Sequence, residues 1–189
     1  MRKLRALLFD LDGTLVDSAE ANDTAYSRAL GEFGATVAPE DVARCAGGRH
    51  WREFLPELLA RADVRCDPAQ VAERKGELYR QMVAELRVNG ALLALASSVR
   101  PVMKTALITT ASRENVSAVL DHFALREFFD VVITGDDVVH HKPDPEAYRL
   151  ALTRLELDAA ECIAFEDSDV GVASAVAAHV TVVRVTFEP

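Results

Sequence analysis

The stretch "FDLDGTLVDS", residues 9–18, places two aspartates one residue apart directly after a short apolar run. A continuous apolar run is typical of a strand that is covered on both faces. Because side chains alternate along a strand, Asp10 and Asp12 can face the same pocket. Gly13 and Thr14 then favour an immediate turn. The stretch therefore predicts a buried strand that delivers two carboxylates at its carboxyl end.

The rest of the chain alternates short apolar runs with segments of helical spacing. The predicted strands cover residues 6–11, 105–110, 131–134, 162–165 and 181–185, and the predicted helices between them cover residues 113–123, 145–155 and 168–178. Such an alternation of strand and helix is typical of the α/β class, in which a parallel sheet is wound by helices.

The region of residues 19–85 breaks this alternation, because it contains helical patterns and no convincing strand. Apolar residues recur there at intervals of three and four, between turn signals such as Gly47-Gly48. The helical patterns cover residues 21–33, 51–62 and 68–86. We therefore predict a small all-helical domain, residues 19–85, inserted after the first strand of a core domain formed by residues 1–18 and 86–189.

Composition limits the class of partner. The 189 residues are 50% hydrophobic, which suits a globular protein with one sizeable core. The formal charge of −9, without a basic run, gives no support for nucleic-acid binding, so a small molecule is the expected partner. The apolar stretch before Asp10 is too short for a signal peptide or a membrane span. We expect a cytoplasmic protein without membrane contact, and the sequence predicts no oligomeric state.

The three cysteines, Cys45, Cys66 and Cys162, are widely spaced and have neither a Cys-x-x-Cys pattern nor a histidine at metal-ligand spacing. An odd number of cysteines at such spacing argues against a disulfide framework and against a zinc site. We therefore expect buried, reduced thiols.

Polar residues follow the predicted strands at the place where a ligand is expected. In an open parallel sheet, ligands bind beyond the carboxyl ends of the strands. Closely packed carboxylates favour a bound cation, and oxygen ligands of this kind suit Mg²⁺. Together with hydroxyls and an ammonium group they suit a phosphoryl ligand. Besides the first two aspartates, the residues concerned are Thr109, Thr110, Lys142, Glu166 and Asp167.

Four stretches of the sequence carry a family resemblance. They are "FDLDGTLVDS", "ALITTASRENV", "HHKPDPEAY" and "AFEDSDVGVASAVAAH". In this order they resemble the motifs of the haloacid dehalogenase (HAD) superfamily of phosphohydrolases, and the insert after the first motif resembles the subgroup of phosphoglycolate phosphatases and β-phosphoglucomutases. The resemblance covers nearly the whole chain. It implies a HAD-like Rossmannoid core with a parallel sheet wound by helices and a small all-helical cap.

The resemblance implies a catalytic role for three positions. Asp10 corresponds to the nucleophile that takes the phosphoryl group as an aspartyl-phosphate, and Asp12 to the general acid and base. An acid at Asp12 favours phosphate-ester chemistry over dehalogenation, because a leaving halide needs no proton. Lys142 corresponds to the lysine that steadies the nucleophile and the phosphate charge.

The same resemblance implies the phosphate and metal ligands. Thr109 corresponds to the phosphate-binding hydroxyl, but Thr110 beside it leaves the register open by one residue. The backbone at Gly13 is expected to face the phosphate as well. The implied Mg²⁺ ligands are the carboxylates of Asp10, Glu166 and Asp167 and the backbone carbonyl of Asp12.

Purely structural roles are the alternative at several of these positions. Asp12 and Gly13 could form only a strand-to-helix turn, and Lys142 could be a solvated loop lysine. We interpret Asp17 and Ser18 mainly as hinge and helix-cap residues.

The inserted helices are expected to choose the substrate, because they resemble a cap that closes over the site. In "CAGGRHWREF", residues 45–54, a glycine pair precedes Arg49, which could clamp a second phosphate or a carboxylate. An ordinary turn with a solvent-facing arginine is an equal alternative. His141 and His179 stand where relatives commonly have glycine, which raises the question of positive φ at both positions.

Three functions follow from these residues. We favour Mg-dependent hydrolysis of a small phosphorylated metabolite, of phosphoglycolate or sugar-phosphate type, through an aspartyl-phosphate. A β-phosphoglucomutase-like phosphotransferase is the alternative, although relatives with that activity carry a histidine where this chain has Asn22. A non-catalytic binding module on the same scaffold is the third. The intact residues Asp10, Asp12, Lys142 and Asp167 argue against it.

Overall fold

A parallel sheet of five strands forms the centre of the computed structural model, which describes residues 3–187. In spatial order the strands are β5 (Val131–Ile133), β4 (Lys104–Ile108), β1 (Ala6–Phe9), β6 (Cys162–Glu166) and β7 (Thr181–Arg184). The first strand lies in the middle, so its carboxyl end is flanked by the ends of β4 and β6. The predicted α/β class with a parallel sheet is confirmed.

Helices cover both faces of this sheet. Outside the insert they are α5 (Gly90–Val99), α6 (Arg113–His122), α7 (Glu146–Leu155) and α8 (Asp169–Ala177). Ala6 and Leu8 of β1 belong to a core cluster with α7 and α8, whereas Leu7 and Phe9 belong to a second cluster with α6. Because β1 is buried on both faces, its apolar run is continuous rather than alternating.

The insert after β1 consists of four helices, one more than the sequence pattern predicts. In order they are α1 (Ala19–Glu32), α2 (Pro39–Ala46), α3 (Trp51–Arg61) and α4 (Pro68–Gln81). They lie between β2 (Val16–Asp17) and β3 (Arg87–Val88), which pair as a short antiparallel ladder. The chain therefore enters and leaves the insert at the same place.

Two helices escape the sequence pattern. The helix α2 has only eight residues, too few to show a helical period. The helix α5, with the sequence GALLALASSV, is apolar nearly all round and so lacks an amphipathic period. A third difference concerns α4, which ends at Gln81 and not at residue 86, because Val83–Glu85 form a 3-10 turn.

A single apolar cluster joins the insert to the core. It runs from Phe9 in β1 through Leu30 in α1 and Val71 in α4 to Val116 in α6. The insert is therefore packed on the core rather than held by its two connections alone. The predicted domain boundaries, at residues 18/19 and 85/86, stay a prediction.

The cysteines are all free thiols, and Cys45 and Cys162 are buried as predicted. The predicted burial is wrong for Cys66, which is partly exposed because it lies in the loop between α3 and α4. Within residues 3–187, no helix combines the length and the apolar content that a membrane span requires.

Candidate active site

Asp10 and Lys142 form a buried ion pair where the central strands end. Asp10 directly follows β1, and its backbone N–H donates to the carbonyl of Phe165 in β6. The Lys142 ammonium donates to Asp10 Oδ1 at 2.7 Å and to Glu166 Oε1 at 2.6 Å. Its third bond goes to the Ile108 carbonyl at 2.9 Å. An ammonium group has three protons, so all the donors of Lys142 are used.

The charges of this cluster shift one another's protonation. Burial raises the pKa of Asp10, and the Glu166 carboxylate raises it further, against the opposing effect of Lys142. Burial by itself lowers the pKa of Lys142, but the carboxylates of Asp10 and Glu166 outweigh burial and raise that pKa. Lys142 therefore stays protonated between the two carboxylates.

Glu166 is completely buried at the end of β6. Its Oε1 accepts from Lys142 and from the Tyr148 hydroxyl in α7, the latter at 2.5 Å. Its Oε2 has no hydrogen-bond partner among the described residues and lies against Gly171, where an added Cβ would be 1.9 Å away. A side chain at position 171 would therefore push Glu166 out of its place.

Three carboxylates lie close enough together to share a cation. Asp10, Glu166 and Asp167 each offer an oxygen, and these oxygens lie within 4.8 Å of one another. Burial raises the pKa of Asp167, and the neighbouring Glu166 raises it further. One lysine faces three carboxylates, so the negative charge of the cluster favours a second cation. Because all the ligand atoms offered are oxygens, a hard divalent ion suits the site. The residues present therefore fit a divalent metal.

Asp12 has different surroundings, because neutral groups hold its carboxylate. Oδ1 accepts from the Ser18 hydroxyl at 2.5 Å and from the Asn22 amide at 3.1 Å. Oδ2 lies 3.5 Å from the Thr109 hydroxyl. Ser18 stands at the start of α1, but its side chain makes no capping bond, so its predicted capping role is wrong. The hydroxyl serves Asp12 instead.

Gly13 lets the chain turn directly behind Asp12. Its φ is +81°, and an added Cβ would lie 2.2 Å from Asp167 Oδ2. Only glycine combines this backbone conformation with so close an approach. Its N–H donates to the Val16 carbonyl at 2.8 Å. Gly13 is therefore needed for the turn of the chain beside Asp167. Its contact with phosphate stays a prediction.

The adjacent threonines after β4 differ in what they can offer a ligand. Thr109 is buried, and its hydroxyl accepts from the Ala111 N–H at 3.1 Å while it faces Asp12. Thr110 is partly exposed and lines a cavity, and its hydroxyl has no partner within residues 3–187. Of the two, Thr110 has the hydroxyl that is available to a ligand.

A cavity of about 760 Å³ lies between the strand ends and the insert. Every predicted site residue lines it except Glu166, which is completely buried. The structure thus brings the predicted residues to one space from five separate stretches of sequence. The insert contributes further polar lining that sequence reasoning did not assign: Asn22, Asp23, Tyr26, Lys75 and Tyr79.

Lys75 is a second buried lysine and lies in the wall formed by the insert. Its Nζ is 4.7 Å from the ring centres of both Tyr26 and Tyr79 and donates to Asn22 Oδ1. No ion pair to Lys75 occurs in the described part of the chain. Burial lowers its pKa to about 8. Burial also raises the pKa of the neighbouring Asp23 carboxyl to about 6.

Arg49 lines the cavity, but its guanidinium is engaged within the insert. Its Nε and Nη2 donate to the carbonyl of Cys45 in α2, and its Nη1 lies 3.5 Å from Glu57 in α3. These contacts are those of an arginine that joins two helices. The substrate clamp at Arg49 stays a prediction. Of the described insert cations that line the cavity, Arg49 and Arg80 each have a carboxylate partner, whereas Lys75 has none within hydrogen-bond distance.

The two histidines at expected glycine positions are accommodated differently. His179 is exposed and has φ +62°, so it does occupy the left-handed region. His141 is not among the described residues with positive φ. It is buried and stacks on His50 of the insert, with ring centres 3.5 Å apart.

Sequence reasoning missed Lys75 because α4 is rich in charged residues, among which one lysine does not stand out. One signal was available in the helical register. Lys75 follows the buried Val71 by four residues and precedes the buried Tyr79 by four. Residues spaced by four share one face of a helix, so Lys75 belongs to the buried face.

The family model of the haloacid dehalogenase-like hydrolases matches residues 7–185. Fructose-1-phosphate phosphatase YqaB of Escherichia coli is 30% identical over 179 residues, which cover 95% of each chain. A phosphorylated carbohydrates phosphatase of Thermotoga maritima is 32% identical over 181 residues, or 94% of this chain and 82% of the relative.

Solved structures agree with this match. CbbY from Rhodobacter sphaeroides in complex with phosphate superimposes with a TM-score of 0.89 at 27% identity, over 98% of this chain and 87% of that one. A mutant of CbbY in complex with xylulose-1,5-bisphosphate gives a TM-score of 0.86, also at 27% identity, over 98% and 87% of the two chains. Sequence, fold and the carboxylate cluster at the strand ends together show that this chain belongs to the haloacid dehalogenase-like hydrolases.

Proposed function

We propose that this hydrolase is an Mg²⁺-dependent phosphatase that acts on a phosphate monoester of a small carbohydrate. One observation carries the proposal: the buried Asp10 carboxylate, held by Lys142 at 2.7 Å, shares a cavity with Asp12. A nucleophile and a proton carrier in one cavity are what ester cleavage needs. The phosphatases of phosphorylated carbohydrates among the relatives support the substrate class.

Asp10 is the proposed nucleophile. Lys142 holds Oδ1, and the carboxylate attacks phosphorus to form an aspartyl-phosphate. The bond between phosphorus and the ester oxygen breaks, and Asp12 gives that oxygen a proton. Asp12 then takes a proton from water, whose oxygen attacks the phosphorus. Inorganic phosphate leaves and the Asp10 carboxylate is restored.

The surroundings of the two aspartates support this division of roles. Asp12 is held by the hydroxyl of Ser18 and the amide of Asn22, which are neutral. A carboxyl group held in this way can gain or lose a proton without breaking an ion pair. Asp10 is paired with Lys142, which favours its ionised, nucleophilic form.

Asp10 and Asp167 are the Mg²⁺ ligands that the geometry supports best, because both belong to the carboxylate cluster and line the cavity. A bound Mg²⁺ would neutralise charge on the transferring phosphoryl group. Glu166 gives Oε1 to Lys142, so we assign it to holding that lysine in place. Direct ligation by Glu166 and by the Asp12 carbonyl stays a prediction.

Thr110 is the proposed phosphate-binding hydroxyl, because it is the threonine with the free side chain in the cavity. The remainder of the substrate would face the insert, which we propose is a cap domain of residues 19–85. There Lys75 offers a donor and Asp23 offers an acceptor. Such a mixed polar wall suits the hydroxyl groups of a carbohydrate better than a flat apolar substrate.

Asn22 bears on the alternative of a β-phosphoglucomutase-like phosphotransferase. Its amide donates to Asp12 and its carbonyl accepts from Lys75. An amide does not titrate, so it cannot exchange protons with substrate as a histidine at this position could. This favours the phosphatase. The predicted cytoplasmic location stays a prediction.

Release of inorganic phosphate from fructose 1-phosphate, xylulose 1,5-bisphosphate and 2-phosphoglycolate, with and without Mg²⁺, tests the proposal. We expect Mg²⁺-dependent release with a preference for the carbohydrate esters. Asp10→Asn should lower the rate by about 10³-fold or more, because the amide is a poor nucleophile. Asp121→Asn, the same change at an exposed position on α6, is the matched control.

Two results would contradict the phosphatase. One is equal phosphate release by the Asp10→Asn variant and the unmodified protein. The other is conversion of β-glucose 1-phosphate to glucose 6-phosphate without release of phosphate, which would show the phosphotransferase instead.

A further inference from the structure

The insert meets the core through two stacked histidine rings. His50, at the start of α3, lies over His141, the residue before Lys142, with ring centres 3.5 Å apart and ring planes at 20°. Both side chains are buried. Close beside them, a Cβ added to Gly48 would lie 2.9 Å from the Ser168 side chain. The segment of residues 48–50 is therefore a close contact between insert and core.

We infer that His50 and His141 form a clasp that holds the insert closed over the cavity, and that the clasp closes only when both rings are neutral. They are positioning residues, because neither is assigned a contact with the substrate. Of the tests below, only the kinetic one rests on the proposed function, because it measures turnover.

The hydrogen bonds around the rings require the neutral forms. His50 Nδ1 accepts from the backbone N–H of Arg52 at 3.4 Å, which a proton on that nitrogen would prevent. His141 Nδ1 is buried and has no partner among the described residues. A proton there would have no acceptor, and two charged rings at this separation would repel each other.

The neighbouring charges act in the same direction for His50. Burial, together with the charges of His141 and Arg52, lowers the pKa of His50 to about 3. Burial also lowers the pKa of His141. Arg52 and His140 lower it further, whereas Glu146 and Asp136 raise it. The groups that face His141 are Arg52 on α3, Glu146 on α7, and Asp136 and His140 in the loop before α7.

The direction of the pH dependence follows from these shifts. When the clasp opens, each ring regains the ordinary histidine pKa of about 6.5. The open state then binds protons below that pH, whereas the closed state does not. Closure is therefore fully favoured above about pH 6.5 and weakens as the pH falls below it.

Trp51 gives a readout that needs no turnover. It is the single tryptophan of the sequence, and its ring lies 5.3 Å from His50. We would change only the core partner: His141→Ala removes the ring, and His141→Phe keeps a ring that cannot be protonated. His122→Ala, at an exposed histidine on α6, is the matched control. Quenching of Trp51 fluorescence by acrylamide is compared at pH 7.5 and pH 5.5.

The clasp predicts stronger quenching of the unmodified protein at pH 5.5 than at pH 7.5. His141→Ala should be strongly quenched at both values. His141→Phe should be protected at pH 7.5 and should lose less protection at pH 5.5 than the unmodified protein, because only the His50 ring can then be protonated. His122→Ala should follow the unmodified protein. Equal quenching of the unmodified protein and His141→Ala at pH 7.5 would overturn the clasp. Equal pH sensitivity of His141→Phe and the unmodified protein would overturn the requirement for a neutral His141 ring.

Hydrolysis of p-nitrophenyl phosphate adds a second readout. For His141→Ala we expect KM at pH 7.5 to rise roughly three- to tenfold, the loss expected for one buried aromatic contact, with a smaller change in kcat. His141→Phe should restore KM. A fall in kcat alone that phenylalanine does not restore would contradict the clasp. Absence of turnover in the unmodified protein would refute the proposed function and leave the fluorescence result to decide on the clasp.

Discussion

Lys142 in the core and Lys75 in the insert are both buried and line the same cavity, yet their surroundings give them opposite properties. Lys142 donates to two carboxylates and a carbonyl, and the carboxylates overcome burial to raise its pKa. Lys75 meets an amide and two tyrosine rings, and burial lowers its pKa to about 8. The charge of Lys142 is neutralised by direct ion pairs, whereas Lys75 has only the weaker influence of the Asp12 and Asp23 carboxylates, which do not overcome its burial.

The difference separates two uses of a buried cation. A lysine that is paired on all sides fixes the geometry of its partners, as Lys142 does for Asp10. A buried lysine without a carboxylate partner costs stability, because its desolvation is not repaid within the fold. Binding of an anionic or hydroxylated substrate offsets that cost. We therefore regard Lys142 as part of the chemistry and Lys75 as part of substrate selection.

Replacement of Lys142 by methionine should have the largest effect. Lys142→Met leaves Asp10 and Glu166 as buried carboxylates without a cation, and we expect a loss of about 3–5 kcal/mol in the free energy of unfolding. Phosphatase activity should be lost as well. Urea unfolding measures the stability, with Lys75→Met as the matched control. Equal stability of the two variants would show that the lysines do not differ in the way described.

The two threonines at the end of β4 test which core hydroxyl binds the phosphate. Thr110→Val should lower kcat/KM for a phosphate ester by roughly 10- to 100-fold, because it removes one donor to the phosphoryl group. Thr109→Val, the same change one residue earlier, should have a smaller effect, since that hydroxyl faces Asp12 and the Ala111 N–H. Steady-state kinetics on both variants decides which of the two threonines binds the phosphate. A larger loss in Thr109→Val would place the phosphate one residue earlier.

The substitution Lys75→Met tests the insert side. Loss of a charged hydrogen bond to substrate should raise KM for the preferred carbohydrate phosphate by roughly tenfold. The free energy of unfolding should stay within about 1 kcal/mol of its original value, because the methionine also fills the space between the tyrosines. p-Nitrophenyl phosphate lacks the carbohydrate hydroxyls, so its KM should hardly change. Equal effects on both esters would argue against a role of Lys75 in selection.

The pH dependence of KM should show the smallest effect. Because the pKa of Lys75 is lowered to about 8, its charge is lost as the pH rises through that value. KM for the carbohydrate phosphate should rise a few-fold between about pH 7 and pH 9.5, and Lys75→Met should lack this rise. The unfolded state holds this proton up to about pH 10.4, so the unmodified protein should also gain stability relative to Lys75→Met between about pH 8 and pH 10.4. Parallel KM profiles for the two proteins would contradict the assignment.

The core side could be predicted from the sequence because its signals are local. The continuous apolar run before Asp10 indicates a strand buried on both faces, and a parallel sheet brings the ends of such strands together. The position of Glu166 at a strand end could be predicted in this way. Its complete burial, away from the cavity lining, could not be predicted. The choice between Thr109 and Thr110 was also beyond the sequence, because a shift of one residue reverses the side to which a side chain points.

The insert side could not be predicted to the same degree. The partners of Lys75 come from two helices, and the stack of His50 on His141 joins positions far apart in the chain. Such contacts depend on how helices pack, which periodicity alone does not determine. The helix α2 is amphipathic, but its eight residues are too few for a helical period to be recognised, and the uniformly apolar α5 lacks an amphipathic pattern.

The antiparallel ladder of β2 and β3 also bears on how such a protein can change. The two crossings between core and insert lie side by side, with Asp17 paired to Arg87 across them. Because its two ends are adjacent, the insert can be lengthened or shortened without moving the strands that carry Asp10 and Glu166. If the proposed function holds, changes within the insert that keep its apolar contacts with the core would alter the substrate range and leave the strand-end residues in place.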